Sequence, residues 1–193
     1  HGRPPTGVLP SQLVVFAQNH DQTGNRAVGE RLGHLLEGQV GKAIAALVLL
    51  AGQLGLLKGT PPGDLGVREG KLKQPSETAN SVSSQALLWA GHAQREQAHI
   101  APLAVRGGDG SATMARLQAL LQAQPGVSIV DSRSDYLYVR CETRFMKFVD
   151  DVEFWFDASS GVIQVRSASR LGRKDFGVNR RRIEDLREKL ATP

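Results

Sequence analysis

Between residues 128 and 170 apolar and polar side chains alternate with a period of two, and that pattern restricts this stretch to antiparallel strands. Leu137, Val139 and Cys141 take one face and Tyr136, Tyr138 and Arg140 the other. SRSD at 132–135 makes a turn that divides this part into two strands. Val152, Phe154 and Phe156 alternate with Asp151, Glu153, Trp155 and Asp157, and ASSG at 158–161 turns the chain into 162–170, where Ile163 and Val165 share a face. Helical spacing brackets the strands. Met114, Leu117, Leu120 and Leu121 precede them, with Pro125 and Gly126 as a stop. Ile183, Leu186 and Leu190 follow on a helix from about Val178, with Arg181 and Asp185 spaced i,i+4. A helix, a four-stranded antiparallel meander and a C-terminal helix predict an α+β domain over residues 59–193 with one sheet face covered.

With 193 residues, 40% of them apolar, the chain can bury one sizeable core. Its net charge of +5 is concentrated near the C-terminus, where Arg166, Arg170, Arg173, Lys174, Arg180, Arg181, Arg182, Arg187 and Lys189 outnumber Asp175, Glu184, Asp185 and Glu188. Acids alternate with bases there and aromatics are not interleaved, so no nucleic-acid partner is expected. The single cysteine, Cys141, excludes an intrachain disulfide and a multi-cysteine metal site, and leaves the redox compartment open. No cofactor is expected. Residues 59–85 are rich in Gly, Pro and Ser without periodicity, which reads as an irregular lead-in wrapped over a surface.

Residues 43–57, AIAALVLLAGQLGLL, are the strongly apolar run. As a helix they reach about 22 Å against a bilayer core of about 30 Å. A signal-peptide core or short anchor spanning residues 39–58 and a buried helix of a soluble fold stand as alternatives. The chain starts at His1 rather than Met, which reads as a fragment or a processed product.

The densest polar constellation is Arg166, Arg170, Asp175, Asn179 and Arg180, which could form an anion or headgroup site at a helix N-terminus. Alternatively, Asp175 or Asn179 caps the helix while the arginines pair with Asp150, Asp151 and Glu153 across the sheet. Asp150, Asp151, Glu153 and Asp157 are oxygen ligands of the type that hold hard cations, but alternation places Asp151, Glu153 and Asp157 on one face, which reads as a solvated face, and no metal is expected. Ser83 and Ser84 with His92 or His99 lack a nucleophile turn and a placed acid, and read as satisfying loop backbone.

SQLVVFAQN at 11–19 reads as a buried parallel strand, and Asn19, His20 and Asp21 end it. A turn that caps a following helix would use the same residues. In a TIM barrel such groups point into the active site. VVFAQNHDQTGNRAVGERL resembles the seventh-strand motif of the α-amylase superfamily, most closely that of malto-oligosyltrehalose trehalohydrolases. The resemblance implies that Asp21 contacts sugar hydroxyls and steadies the transition state while His20 helps to hold the sugar. The family's nucleophile and general acid lie on earlier strands, and glycoside hydrolysis needs two carboxylates. Residues 1–38 are therefore expected to be a barrel fragment, disordered or loosely packed and catalytically dead, with Asn19, His20 and Asp21 vestigial. Trehalohydrolases follow this motif with an Ala/Leu-rich helix, so the junction falls between Leu36 and Leu57. A join between neighbouring genes is an alternative origin.

A second resemblance covers residues 54–190. DLGVREGKL, NSVSSQ, HIAPL, FVDDVEFWFD and GVIQVRSASRLGRKDFGVNRRRIEDLR are similar to the bacterial and plastid domain-of-unknown-function family 1499. It implies an envelope-facing domain behind a hydrophobic leader, with no established activity. Pro75 and Ser81 stand where members often carry cysteines. The expectation is a non-enzyme that is membrane-anchored or periplasmic if 43–57 is a leader, and cytoplasmic otherwise. It would bind a small anionic ligand, a membrane surface or a protein. The alternative is a fragment of a trehalose-releasing glycoside hydrolase, inactive alone.

Overall fold

The computed structural model describes residues 38–192. Residues 1–37, and with them Asn19, His20 and Asp21, lie outside the described part. The described chain divides into two compact units, residues 38–59 with 144–147, and residues 60–143 with 148–192.

The first unit is built on α1 (Gly38–Gln53). Gln53 donates its side-chain amide to the Phe145 carbonyl at 2.8 Å. Gly52 packs so close to Met146 that a Cβ would lie 2.7 Å from its carbonyl oxygen. Leu47, Leu50 and Leu54 are exposed. No helix among the described residues is long and apolar enough to cross a membrane.

The second unit contains β1 (Ser81–Ser83), a 3₁₀ turn at Ala86–Leu88, α2 (Arg95–Ala98), β2 (Leu103–Ala104), α3 (Gly110–Gln122), β3 (Val127–Ser132), β4 (Tyr136–Glu142), β5 (Val149–Asp157), β6 (Val162–Ser169) and α4 (Val178–Ala191). It is an α+β domain with one antiparallel sheet in the order β1-β6-β5-β4-β3, and β2 joins β6 further along the edge that β1 occupies. The four long strands are those the alternation predicts. The sheet has six strands rather than four because β1 and β2, at three and two residues, are too short for alternation to register.

Capping chemistry sets the helix ends. The Asp109 carboxylate accepts the Ala112 N–H at 2.9 Å and opens α3. The chain then turns into β3 through Gly126 at φ +78°, where a Cβ would lie 2.4 Å from the Glu142 carbonyl oxygen, so only glycine fits. At α4 the Asp175 carboxylate accepts the Gly177 N–H at 3.0 Å and the Asn179 N–H at 2.9 Å.

One sheet face carries the main core, where Met114, Leu117 and Leu121 of α3 and Ile183, Leu186 and Leu190 of α4 pack on Leu137, Val139, Val152, Phe154, Ile163 and Val165. The opposite face is covered too, which corrects the expectation of a single covered face. Leu72 packs there on Tyr136 and Tyr138, joined by Leu65, Val67 and Trp155. Irregular backbone can lie on a sheet because side chains satisfy it. Gly66 donates its N–H to Glu153 Oε1 at 2.7 Å, and Leu72 to Gln85 Oε1 at 2.8 Å.

Candidate functional site

The face under the lead-in collects charge because the register demands it. Tyr138, Glu153 and Arg166 stand directly opposite one another on β4, β5 and β6, and Asp151 lies two residues from Glu153 on the same face. Asp151 is 2% exposed and Glu153 0%. This corrects the reading of these acids as a solvated face: the lead-in buries them, and arginines compensate them.

Arg170 clasps Asp151 with a two-point fork, Nε to Oδ2 at 2.8 Å and Nη2 to Oδ1 at 2.7 Å, and the Tyr138 hydroxyl donates to Oδ1 at 2.5 Å. Those hydrogen bonds to Asp151 raise the Arg170 guanidinium above its ordinary value. Its fork is spent on this internal partner.

Arg166 differs. It is 4% exposed, its Nε donates to the Gln74 carbonyl at 3.2 Å, and its Nη1 stands 3.7 Å from Glu153 Oε2, too far for a hydrogen bond. Among the described residues its terminal nitrogens make no hydrogen bond, and Glu153 Oε2 is likewise buried without one. Glu153 Oε1 accepts from Gly66 N–H and from the Tyr136 hydroxyl at 2.8 Å. Burial pushes the Glu153 carboxyl up, against the pull of the Gly66 N–H, Arg166 and Tyr136. Burial also pulls the Arg166 guanidinium down, opposed by Glu153 and Asp151, and it remains charged because arginine starts so high. Beside Arg166 opens a cleft of about 370 Å³, lined also by Lys73, Gln74, Ser76, Asp151 and Arg170.

Asp175, Asn179 and Arg180 do not join this site. Arg166 and Arg170 occupy alternate positions that face away from the helices, whereas Ser167 and Ser169 face α4. Asn179, 0% exposed, is a hub on that side. Its Oδ1 accepts from Ser167 Oγ at 2.5 Å and Arg182 Nη1 at 2.8 Å, and its Nδ2 donates to the Asn80 carbonyl at 3.1 Å, Ser169 Oγ at 3.0 Å and Asp175 Oδ2 at 2.9 Å. Arg182 then reaches Asp150 Oδ2 at 2.6 Å. Arg180 donates to the Gln97 and His99 carbonyls at 2.9 and 2.8 Å. The capping and pairing alternative thus describes Asp175 and Arg170, while Arg166 stands near Glu153 with neither terminal nitrogen in a hydrogen bond among the described residues.

Asp157 turns the β5–β6 hairpin. Burial raises its carboxyl, but hydrogen bonds from Ser159, Ser160 and Gln164 outweigh that and hold it at about 2. Among the described residues no three His, Cys, Asp or Glu side chains group as a metal site. Ser84 Oγ donates to Gln164 Oε1 at 2.7 Å and accepts the Val165 N–H at 2.9 Å, Ser83 Oγ accepts the Gln85 N–H at 3.2 Å, and neither hydroxyl bonds a histidine among the described residues. Tyr136, Tyr138 and Gly66 belong to the charged face and were not among the sequence candidates. The two-residue period that puts both tyrosines beside Glu153 was the available signal.

A family model described as a protein of unknown function, DUF1499, matches residues 71–190. Towards its N-terminus the chain is similar to malto-oligosyltrehalose trehalohydrolases, with 54% identity over 55 residues to that of Arthrobacter ramosus and 53% over 53 residues to that of Brevibacterium helvolum. The trehalohydrolase of Rhizobium sp. (strain M-11) shares 51% identity over 55 residues. These matches cover 26–27% of this chain, and the chain spans only 9% of those relatives. A match over 26% of 193 residues takes in about fifty, so it reaches into α1. No solved structure matches the chain.

Proposed function

Because the chain belongs to DUF1499, a protein family of unknown function that accounts for residues 71–190, we propose that its α+β domain is a non-catalytic binding module taking a small anionic ligand in the cleft beside Arg166. One observation carries this reading: a buried arginine at the cleft has terminal N–H groups with no hydrogen-bond partner among the described residues. A carboxylate would satisfy them with the two-point geometry a guanidinium offers. Arg170 has its Nε and Nη2 fork engaged by Asp151, and its role is to hold that carboxylate and shape the wall.

The full chain, titrated with succinate at fixed ionic strength, is expected to show a saturable rise in its thermal midpoint. Arg166→Lys keeps the charge but loses the fork, and is expected to weaken that response about tenfold. A midpoint that does not move with succinate in the wild-type chain ends the proposal.

The trehalohydrolase-like fragment adds no activity in this reading, since Asp21 supplies one carboxylate where two are needed. Trehalose release from a trehalose-ended maltodextrin by the purified chain would overturn it. An envelope location is the remaining part of the proposal. It requires residues 43–57 to act as a leader, although the match to trehalohydrolases reaches into the same run. Recovery of the full chain in the membrane or periplasmic fraction would support that location, and recovery in the cytosol alone would end it.

A further inference from the structure

A second cavity, of about 200 Å³, lies along the lead-in and is lined by Arg68, Lys71, Lys73, Asp64, Gly66 and Trp89, among others. Its geometry is unusual electrostatically. Arg68 and Lys71 exchange both backbone hydrogen bonds, Arg68 N to Lys71 O at 2.8 Å and Lys71 N to Arg68 O at 3.0 Å, across a two-residue turn with Glu69 at φ 51° and Gly70 at φ 71°. Left-handed backbone at both central positions makes this a type I′ turn, the form that matches hairpin twist. Residues paired in this way project their side chains on one face, about 5.5 Å apart at the backbone, and like charges placed so repel. The turn therefore holds two cations together, with a non-glycine residue in left-handed backbone at its tip. Lys73, two residues beyond Lys71, points the same way while Leu72 between them is buried against the sheet.

The local acids, Glu69 at the exposed tip included, form no ion pair with Arg68 or Lys71 among the described residues. Asp64 is taken by Lys73 at 2.5 Å, and neither Arg68 nor Lys71 has a carboxylate partner among the described residues. Lys71 Nζ instead stands 5.5 Å over the Trp89 ring. The indole Nε1–H of Trp89 is buried with no hydrogen-bond partner among the described residues.

We propose that this cavity is a phosphate-binding site, in which the paired Arg68 and Lys71 receive a dianionic phosphoryl group. A phosphoryl group has oxygens enough to meet both unpaired cations at once, whereas a single carboxylate engaged by the arginine fork would leave the lysine unmatched. Arginine supplies paired donors to phosphate oxygens and lysine a mobile point charge. The site is separate from the Arg166 cleft, touching it at Lys73 and Gln74, and does not depend on the reading given to that cleft.

Trp89 is a built-in reporter, because Trp155 is the chain's other tryptophan. In a full-length Trp155→Phe chain, inorganic phosphate at constant ionic strength is expected to change the emission saturably, while chloride at the same ionic strength does not. Arg68→Gln and Lys71→Gln in that background are each expected to raise the half-saturating phosphate concentration about tenfold. Arg68→Gln is also expected to leave the thermal midpoint without phosphate unchanged or higher, since it relieves a repulsion. That separates a lost site from a damaged fold. Co-sedimentation with phosphatidic-acid vesicles that soluble phosphate cannot displace would identify the phosphoryl group as a lipid headgroup, and displacement would identify it as a free phosphate. An emission that phosphate does not change saturably, or an unaltered half-point in both glutamine variants, overturns the assignment.

Discussion

Arg166→Met lowers the unfolding free energy by about 3–5 kcal/mol at neutral pH, because it leaves the buried Glu153 carboxylate without its cation. Chemical denaturation measures this directly. Adding Glu153→Gln to the same chain recovers more than half of the loss. The glutamine oxygen still accepts from the Gly66 N–H and the Tyr136 hydroxyl while the charge is gone. The deficit also depends on pH. Glu153 titrates above its unfolded value of 4.5 because burial disfavours its charge, and removing Arg166 raises it further. Its penalty is fully present above the folded value and vanishes below the unfolded one, so the single variant approaches the parent in stability as the solution is acidified. A deficit that persists in the double variant, or is constant with pH, would place Arg166 in a packing role and remove the electrostatic account of this face.

Asn179→Ala is the second large effect, costing about 3 kcal/mol or more. Truncation strips donors or acceptors from Asn80, Ser167, Arg182 and Asp175 at once, and each buried group left unsatisfied costs on the order of 1–3 kcal/mol. The loss propagates to the far edge of the sheet, since Asn179 is bonded to the Asn80 carbonyl just ahead of β1. Hydrogen exchange should therefore report faster opening of Ser81–Ser83 together with α4. A loss below 1 kcal/mol would show that neighbouring groups re-pair without the amide.

The long strands and both main helices were legible because period-two and helical patterning are direct consequences of burying one face of each element. Val152, Phe154 and Phe156 declare their strand, as Ile183, Leu186 and Leu190 declare their helix. What patterning could not show was the roof over the other face. Leu65, Val67 and Leu72 sit in a stretch without periodicity, held by bonds to side chains 87 and 13 residues distant in sequence. Without that roof Asp151 and Glu153 look like solvent-facing acids, and their burial follows only once the lead-in is placed. The candidate cluster divided for an elementary reason. Arg166 and Arg170 share the parity of Gln164 and Ala168, Ser167 and Ser169 the opposite one, so a grouping by sequence proximity joined side chains on opposite sides of a sheet. Arg166 stood out only when its neighbour's fork proved spent and its own did not. Trp89, Arg68 and Lys71 carried no motif, and only the closed turn at Glu69 and Gly70 brings them to a common cavity.

The pairing of Ser81 with Ala168 has a kinetic consequence. The lead-in and β1 are made before the strands they meet, yet the strand that anchors β1 lies more than eighty residues downstream, and the Asn179 hub beyond that. Closing so long a loop carries an entropic cost that no local contact offsets. On the ribosome, the apolar underside of the lead-in stays uncovered until Tyr136, Tyr138 and Trp155 have followed it out, and β1 stays unpaired until β6 has.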